Sequence, residues 1–392
     1  MLDPITRREL LRRAAAGGAV LSIPSLLAAC GGDSGIEGSA NTESTAAAPA
    51  DTTLAEQLTI SNWPLYIYID EKTKKRPTLD QFEQKTGVKV KYIEDVNDNE
   101  EWFGKFQAQL AQGQAIDSDI TVLTDWMAAR MVRLGYVDKL DKDAIPNSSN
   151  LVSALQSPGW DPKREYSLPW QSGLTGIAYN EKTLGKAITS IDQLFTDPDL
   201  HDAVTCLSEM PDTMGLVMSS NGDDPSKVTA GAFGKAIDKL QKAVDSGQVQ
   251  KFTGNDYAAA LARGSILAAI AWSGDVVQLQ LDNPNLKFVI PDDGGMIWTD
   301  NMLIPKGGDV FTASTFMDFV YDPKIAAQIE AYVNYICPVD GAKDEMLKLD
   351  KDIANNNLIF PDEETLSKVK IFDAEAADNK DYKEQFQAVT GA

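Results

Sequence analysis

The chain has 392 residues, 43% of them hydrophobic, which is enough apolar material for a large core and a length that predicts two domains. Acidic residues outnumber basic ones 58 to 36, a formal net charge of -22 that argues against nucleic acid as a partner. A single histidine, His201, sits in a polar connection, and the three cysteines lack C-x-x-C spacing, so no metal site, dithiol chemistry or cofactor is expected.

The chain opens on Arg7-Arg8, followed by an apolar, small-residue segment from Ala14 to Ala29 and then Cys30. A charged region, an apolar region and a cleavage site in this order make residues 1–29 an export signal. The segment is too short for a membrane span and contains Pro24. The paired arginines resemble a twin-arginine signal, and Leu27-Ala28-Ala29-Cys30 resembles a bacterial lipobox, which implies lipidation of Cys30. Removal of residues 1–29 would leave a net charge of -24. Residues 30–56, rich in Gly, Ser, Ala and Thr up to about Thr53, read as a flexible tether. Cys206 and Cys337 could pair in an oxidising compartment, but sequence does not give their separation.

Leu58 to Trp63 alternates as a strand that stops at Pro64, leaving Trp63 and Tyr66 at its carboxyl end, where open α/β sheets place ligands. Thr78 is expected to cap a helix that Gly87 ends, and Val88 to Tyr92 to form a second strand. Trp102, Phe103, Phe106 and Leu110 recur at helical spacing and read as core. The strand Asp119 to Leu123 leads to Thr124-Asp125-Trp126, where Thr124 or Asp125 either caps the next helix or faces a ligand. Strands alternating with helices predict a mostly parallel, covered sheet. Tyr166 to Asn180, with Gly173 and Gly176, is the expected first crossing between domains.

Beyond the crossing, the strand Ala203 to Leu207 ends at Ser208-Glu209-Met210-Pro211-Asp212, where helix capping explains either acid as well as ligand contact does. Ile266 to Trp272 is a buried strand ending in Ser273-Gly274-Asp275, where Ser273 or Asp275 could cap the helix Val276 to Leu281. Gly294 to Pro305 follows. If extended, it projects Trp298 and Asp300 from one face about 7 Å apart. That pairing suits an organic cation, because the carboxylate supplies counter-charge and the indole a π face. The plain alternative is a core tryptophan beside a surface aspartate. Helices are expected from Phe311 to Tyr321 and from Lys324 to Tyr335.

From about Leu58 to Tyr382 the chain resembles the bacterial extracytoplasmic solute-binding proteins of ABC transporters, and among them the spermidine/putrescine-binding family. The resemblance is carried by Asn62-Trp63-x-x-Tyr66, Tyr166-Ser167-Leu168-Pro169, Gly176-Ile177-Ala178-Tyr179-Asn180, Ala271-Trp272-Ser273-Gly274-Asp275, Trp298-Thr299-Asp300-x-x-x-Ile304-Pro305 and Phe360-Pro361-Asp362. It implies a periplasmic-binding-protein-like (type II) α/β fold of two domains with a hinge and an interdomain ligand cleft. Domain 1 would be 57–175 plus 302–392, its C-terminal part packing partly on domain 2, and domain 2 would be 176–301. Trp63, Tyr66, Trp272 and Trp298 would form aromatic walls, Asp275 and Asp300 would hold ammonium groups, and Glu209 or Asp212 would take a terminal amine. Thr124 and Trp126 stand where the family often has serine and tyrosine, and Tyr335 matches a family tyrosine. Pro64-Leu65 stands where a hydroxyl or acid commonly follows the tryptophan, and Phe372 lies near the place of an expected glutamine.

The implied function is non-enzymatic. A lipid-anchored protein in the periplasm, or on the outer face of the cytoplasmic membrane, would capture putrescine or spermidine and deliver it to a membrane permease. The alternatives are a binding protein for another small organic cation or an amino acid, and a lipid-anchored carboxylate-dependent hydrolase using two acids.

Overall fold

The computed structural model describes residues 52–70, 72–96 and 98–391. The export segment, Cys30 and the tether up to Asp51 lie outside the described residues. Leu54 packs against the core and the Ala55 N–H donates to Thr312 Oγ1 at 2.8 Å, so these two residues at the end of the expected tether are held to the fold.

The strands are β1 (Gln57–Asn62), β2 (Lys89–Glu94), β3 (Ile120–Thr124), β4 (Val137–Asp138), β5 (Ser167–Asn180), β6 (Val204–Leu207), β7 (Val249–Thr253), β8 (Ala268–Trp272), β9 (Leu286–Val289), β10 (Gly295–Pro305) and β11 (Val369–Lys370). They join in the order β2-β1-β3-β10-β5-β8-β6-β7, with β4 and β11 on β10 and β9 on β5. The trios β2-β1-β3 and β8-β6-β7 are parallel. Between them run β10 and β5, antiparallel to each other and to the trio that each one meets. The expected parallel sheet therefore exists as two halves joined by two long antiparallel strands.

The inner strands β1, β3, β6 and β8 are buried on both faces, while the outer strands β2 and β7 are partly exposed. One core gathers Leu58, Ile60, Phe82, Val122, Met302 and Phe316 around the first half. The other gathers Val204, Leu207, Met214, Phe233, Leu240 and Ile270 around the second, and extends through Trp126 to Phe386 and Val389 near the C-terminus. Cys206 and Cys337 are free, one in each core.

Two expected helix boundaries are corrected. Thr78 is not a cap: Pro77 opens the helix Pro77–Thr86 and Arg76 is the N-cap, while Gly87 ends the helix in the left-handed conformation as expected. Tyr335 lies beyond its helix, Pro323–Val333, because Asn334 adopts φ 58 and turns the chain. Tyr335 then faces the cavity between the two halves.

The last segment straps the two halves together. The helix Ala374–Ala377 packs on the helix Asp125–Arg133, and Tyr382, on the helix Lys380–Thr390, stacks on Phe233 at 4.3 Å between ring centroids. Arg130, whose side chain is 8% exposed, bonds to Glu100 and to Asp378, and Lys383 reaches both acids. Asp378→Ala leaves the Arg130 guanidinium with Glu100 alone, and it is expected to lower stability by about 1–3 kcal/mol. The measurement is the urea midpoint at unchanged m value, and a midpoint equal to that of the parent would show that this link contributes nothing.

Candidate ligand-binding site

Strands β1, β3, β6, β7 and β8 all end at one crevice, and β10 runs along it. A cavity of about 440 Å³ opens there. Its lining brings together Trp63, Tyr66, Thr124, Glu209, Trp272, Asp275, Trp298, Asp300 and Tyr335, and also Asp125, Trp126, Asp212 and Phe372. The exposed His201 is not among them.

The Trp298–Asp300 alternation predicted from sequence is present, with both side chains on the cavity. Asp300 is 3% exposed, and its carboxylate accepts from Tyr66 Oη at 2.8 Å and Thr124 Oγ1 at 2.7 Å. Asn99 holds Thr124 in turn, donating to Oγ1 at 2.9 Å and accepting from the Thr124 N–H at 3.1 Å. Thr124 is the N-cap residue by position, yet its hydroxyl makes no cap bond and serves Asp300 instead.

Asp275 has a separate set of donors. It accepts from Asn255 Nδ2 at 2.9 Å, Tyr257 Oη at 2.8 Å and Tyr335 Oη at 3.1 Å. Neither Ser273 nor Asp275 caps the helix Ser273–Asp282, since Ser273 Oγ accepts from the Leu174 N–H. Glu209 is the N-cap of the helix Met210–Ser220 without a side-chain cap bond, and Asp212 accepts from Thr175 Oγ1. The sequence left Glu209 and Asp212 as alternatives, and the structure turns both to the cavity.

The rings form a continuous wall. Centroids lie 5.7 Å apart for Tyr66 and Tyr335, 5.5 Å for Trp298 and Tyr335, and 6.4 Å for Trp272 and Trp298. Trp63 Nε1 donates to the Val122 carbonyl at 3.0 Å and Trp298 Nε1 to Thr175 Oγ1 at 3.1 Å, so the indole N–H groups are satisfied by protein. Gly274 lies against the Tyr335 ring and Gly173 against the indole of Trp298.

Burial acts against the acids. It outweighs the bonds from Thr124 and Tyr66 and pushes the Asp300 carboxyl up to about 7. It also pushes Asp212 up to about 6 against its bonds from Thr175 and Trp272, and Asp125 up to about 6 against its bond from Asn301 and the Arg164 charge. Glu209 is raised well above the usual range by burial and by the charges of Asp98 and Asp212. Among the described residues lining the cavity there is no Lys, Arg or His, and no group of His, Cys, Asp or Glu among the described residues could hold a metal ion. The arrangement therefore suits an organic cation with an apolar body.

A family profile described as bacterial extracellular solute-binding protein matches residues 78–361. The chain belongs to this family. The solute-binding protein is 30% identical over 308 residues to the putrescine-binding periplasmic protein PotF of Escherichia coli K12, covering 72% of this chain and 79% of that one. It is 25% identical over 314 residues to a spermidine/putrescine-binding periplasmic protein of Salmonella typhimurium, covering 78% and 86%. The crystal structure of the spermidine/putrescine ABC transporter substrate-binding protein PotD of Streptococcus pneumoniae superposes with a TM-score of 0.70 at 25% identity, covering 86% of this chain and all of that one. The fold is thus the type II periplasmic-binding-protein fold of two α/β domains, and the family is one of binding proteins rather than enzymes.

The sequence did not single out Asn255 on the lining, nor Asn99, Thr175 and Tyr257, which hydrogen-bond the lining residues Thr124, Asp212, Trp298 and Asp275. Tyr257 repeats with apolar residues along a helix and reads as core. Only the pairing of that helix with the end of β8, where the Trp272 N–H donates to Tyr257 Oη at 2.9 Å, shows its role.

At Gly173 an added Cβ would lie 2.3 Å from the Trp298 ring, so Gly173→Ala must displace the indole. It is expected to cost about 1–3 kcal/mol of stability and to shift the tryptophan emission. Gly104→Ala, where nothing lies within 4 Å, serves as the control. Unchanged emission and stability in Gly173→Ala would contradict the packing described.

Proposed function

We propose that this solute-binding protein captures a polyamine such as putrescine or spermidine for an ABC importer and delivers it to the membrane permease. In this reading Cys30 carries the lipid that keeps the exported chain at the membrane surface. The domains are 57–175 plus 302–392 and 176–301, hinged at β5 and β10. The observation that carries the reading is the cavity itself: separate carboxylate stations at Asp275, Asp300 and Glu209/Asp212, aromatic rings between them, and no basic lining residue among those described. The names of the relatives point the same way.

Ammonium groups would pair with Asp300, Asp275 and Glu209 or Asp212, while Trp63, Tyr66, Trp272 and Trp298 cover the methylenes and Thr124 and Tyr335 hold the acids in place. Contacts from both domains make the closed form the tighter binder, so ligand shifts the hinge equilibrium toward closure. An amino acid fits less well, since its carboxylate would face acids with no lysine or arginine to receive it. The hydrolase alternative falls with the family assignment.

Each cation–π contact contributes only about 0.5–2 kcal/mol, so the buried acids must set affinity. Asp300→Asn is expected to weaken putrescine or spermidine binding by about 2 kcal/mol or more, roughly thirtyfold, and Trp63→Phe by less than about 1 kcal/mol. Calorimetric titration of residues 54–392 is the measurement. Equal, small losses from both variants would count against the assignment, and silence toward both polyamines would remove it.

A further inference from the structure

The cavity brings Asp125, Glu209, Asp212, Asp256, Asp275 and Asp300 onto one lining that holds no lysine, arginine or histidine among the described residues. Asp300 accepts from Tyr66, in the turn after β1, and from Thr124 at the end of β3, and the charges of Asp125 and Asp212, on the helices that follow β3 and β6, act on it. Glu209 is faced by Asp98 and Asn99 at the start of the Asn99 helix, by its neighbour Asp212 and by Asp300. Asp212 is faced by Thr175 of β5 and Trp272 at the end of β8. The Arg164 guanidinium acts on Asp125, and its hydrogen bonds go to Ser167, Asn301 and the Leu155 carbonyl. Asp300 and Asp212 accept hydrogen bonds from the neutral hydroxyls of Tyr66, Thr124 and Thr175.

Resting on the reading of this cavity as a polyamine site, we propose that capture is an exchange of protons for the cation: Asp300, together with Glu209 and Asp212, holds protons in the ligand-free protein near neutral pH and releases them to solvent when ammonium groups enter. The proton leaves the carboxyl oxygen and the ammonium takes its place as the partner of the same oxygen, so the charge of the cavity stays nearly balanced. Without this exchange the ligand-free cleft would hold buried Asp300 and half-buried Glu209 and Asp212 ionised together, which mutual repulsion and partial desolvation both oppose.

The sign follows from the displaced titrations. Asp300 at about 7 and Asp212 at about 6 are partly protonated between pH 6 and 7, and an ammonium neighbour favours the ionised form, so protons leave on binding. Affinity therefore rises with pH. A group titrating near 7 loses about tenfold of its ionised fraction from pH 8 to pH 6, so affinity falls at least about tenfold over that interval. Putrescine is the clean probe, because its two primary amines resemble lysine, near 10.4, and stay charged throughout. Stability of the ligand-free protein runs the other way. A carboxyl raised in the folded state contributes stability that is full below its unfolded value of about 4 and is lost as pH rises through 6–7.

The test is calorimetric titration of the whole chain without its export segment with putrescine at pH 6.5, in phosphate and in ACES, whose ionisation enthalpies differ, repeated at pH 8.5 in borate and in TAPS. The expected result is a buffer-dependent enthalpy corresponding to release of about half a proton or more at pH 6.5, less at pH 8.5, and a smaller release in Asp300→Asn. Binding with the same heat in both buffers and an affinity flat from pH 6 to pH 8 would overturn the exchange while leaving the polyamine reading intact. Failure of putrescine and spermidine to bind at any pH between 5.5 and 8.5 would overturn the reading of the site and the exchange with it.

Discussion

The constraint on which this structure turns is the enclosure of carboxylates in a cavity that has no basic side chain among its described lining residues. A buried acid needs donors, and here neutral ones serve: Tyr66 and Thr124 donate to Asp300, and Asn255, Tyr257 and Tyr335 donate to Asp275. Such donors orient a carboxylate without neutralising it, which leaves the charge available to a ligand and raises the cost of keeping it when the ligand is away. The tyrosines therefore do double duty, as hydrogen-bond donors at one end and as the ring wall along their length.

The topology explains how residues so far apart in sequence reach one place. Two parallel trios point their carboxyl ends at a shared crevice, as open α/β sheets do, and β5 and β10 run between the trios. Trp298 and Asp300 sit on one of these crossings, so a strand that joins the two halves also carries an indole and a carboxylate of the cavity. The C-terminal strap adds a further tie, since Arg130 on one side and Phe233 on the other both receive residues of the last two helices.

Much of the site was legible because strands have period two and their ends are marked. The Trp-x-Asp pattern in β10 and the aromatic and acid at the end of β8 needed no tertiary information to be noticed, and the structure places all four side chains on the cavity. What stayed hidden depends on distance in space. A carboxylate in the first turn of a helix has the same sequence appearance whether it caps that helix or faces a ligand, so Asp212, Glu209 and Asp275 remained ambiguous until their partners were visible. Tyr335 was read into a helix because no glycine or proline stands between Lys324 and Tyr335 to mark a stop, and the left-handed backbone of Asn334 makes the turn instead. Asn99 was invisible for a further reason: it supports Thr124, which supports Asp300, two steps from the charge that gives the arrangement its meaning.

The most direct test of the account is a crystal structure of the protein grown with putrescine at pH 8. The diamine is expected in the crevice, its nitrogens within about 3.2 Å of the Asp300 and Asp275, Glu209 or Asp212 carboxylates, and its methylenes against Trp298 and Trp272. A diamine bound elsewhere, or lying in the cavity with both nitrogens away from these acids, would contradict it.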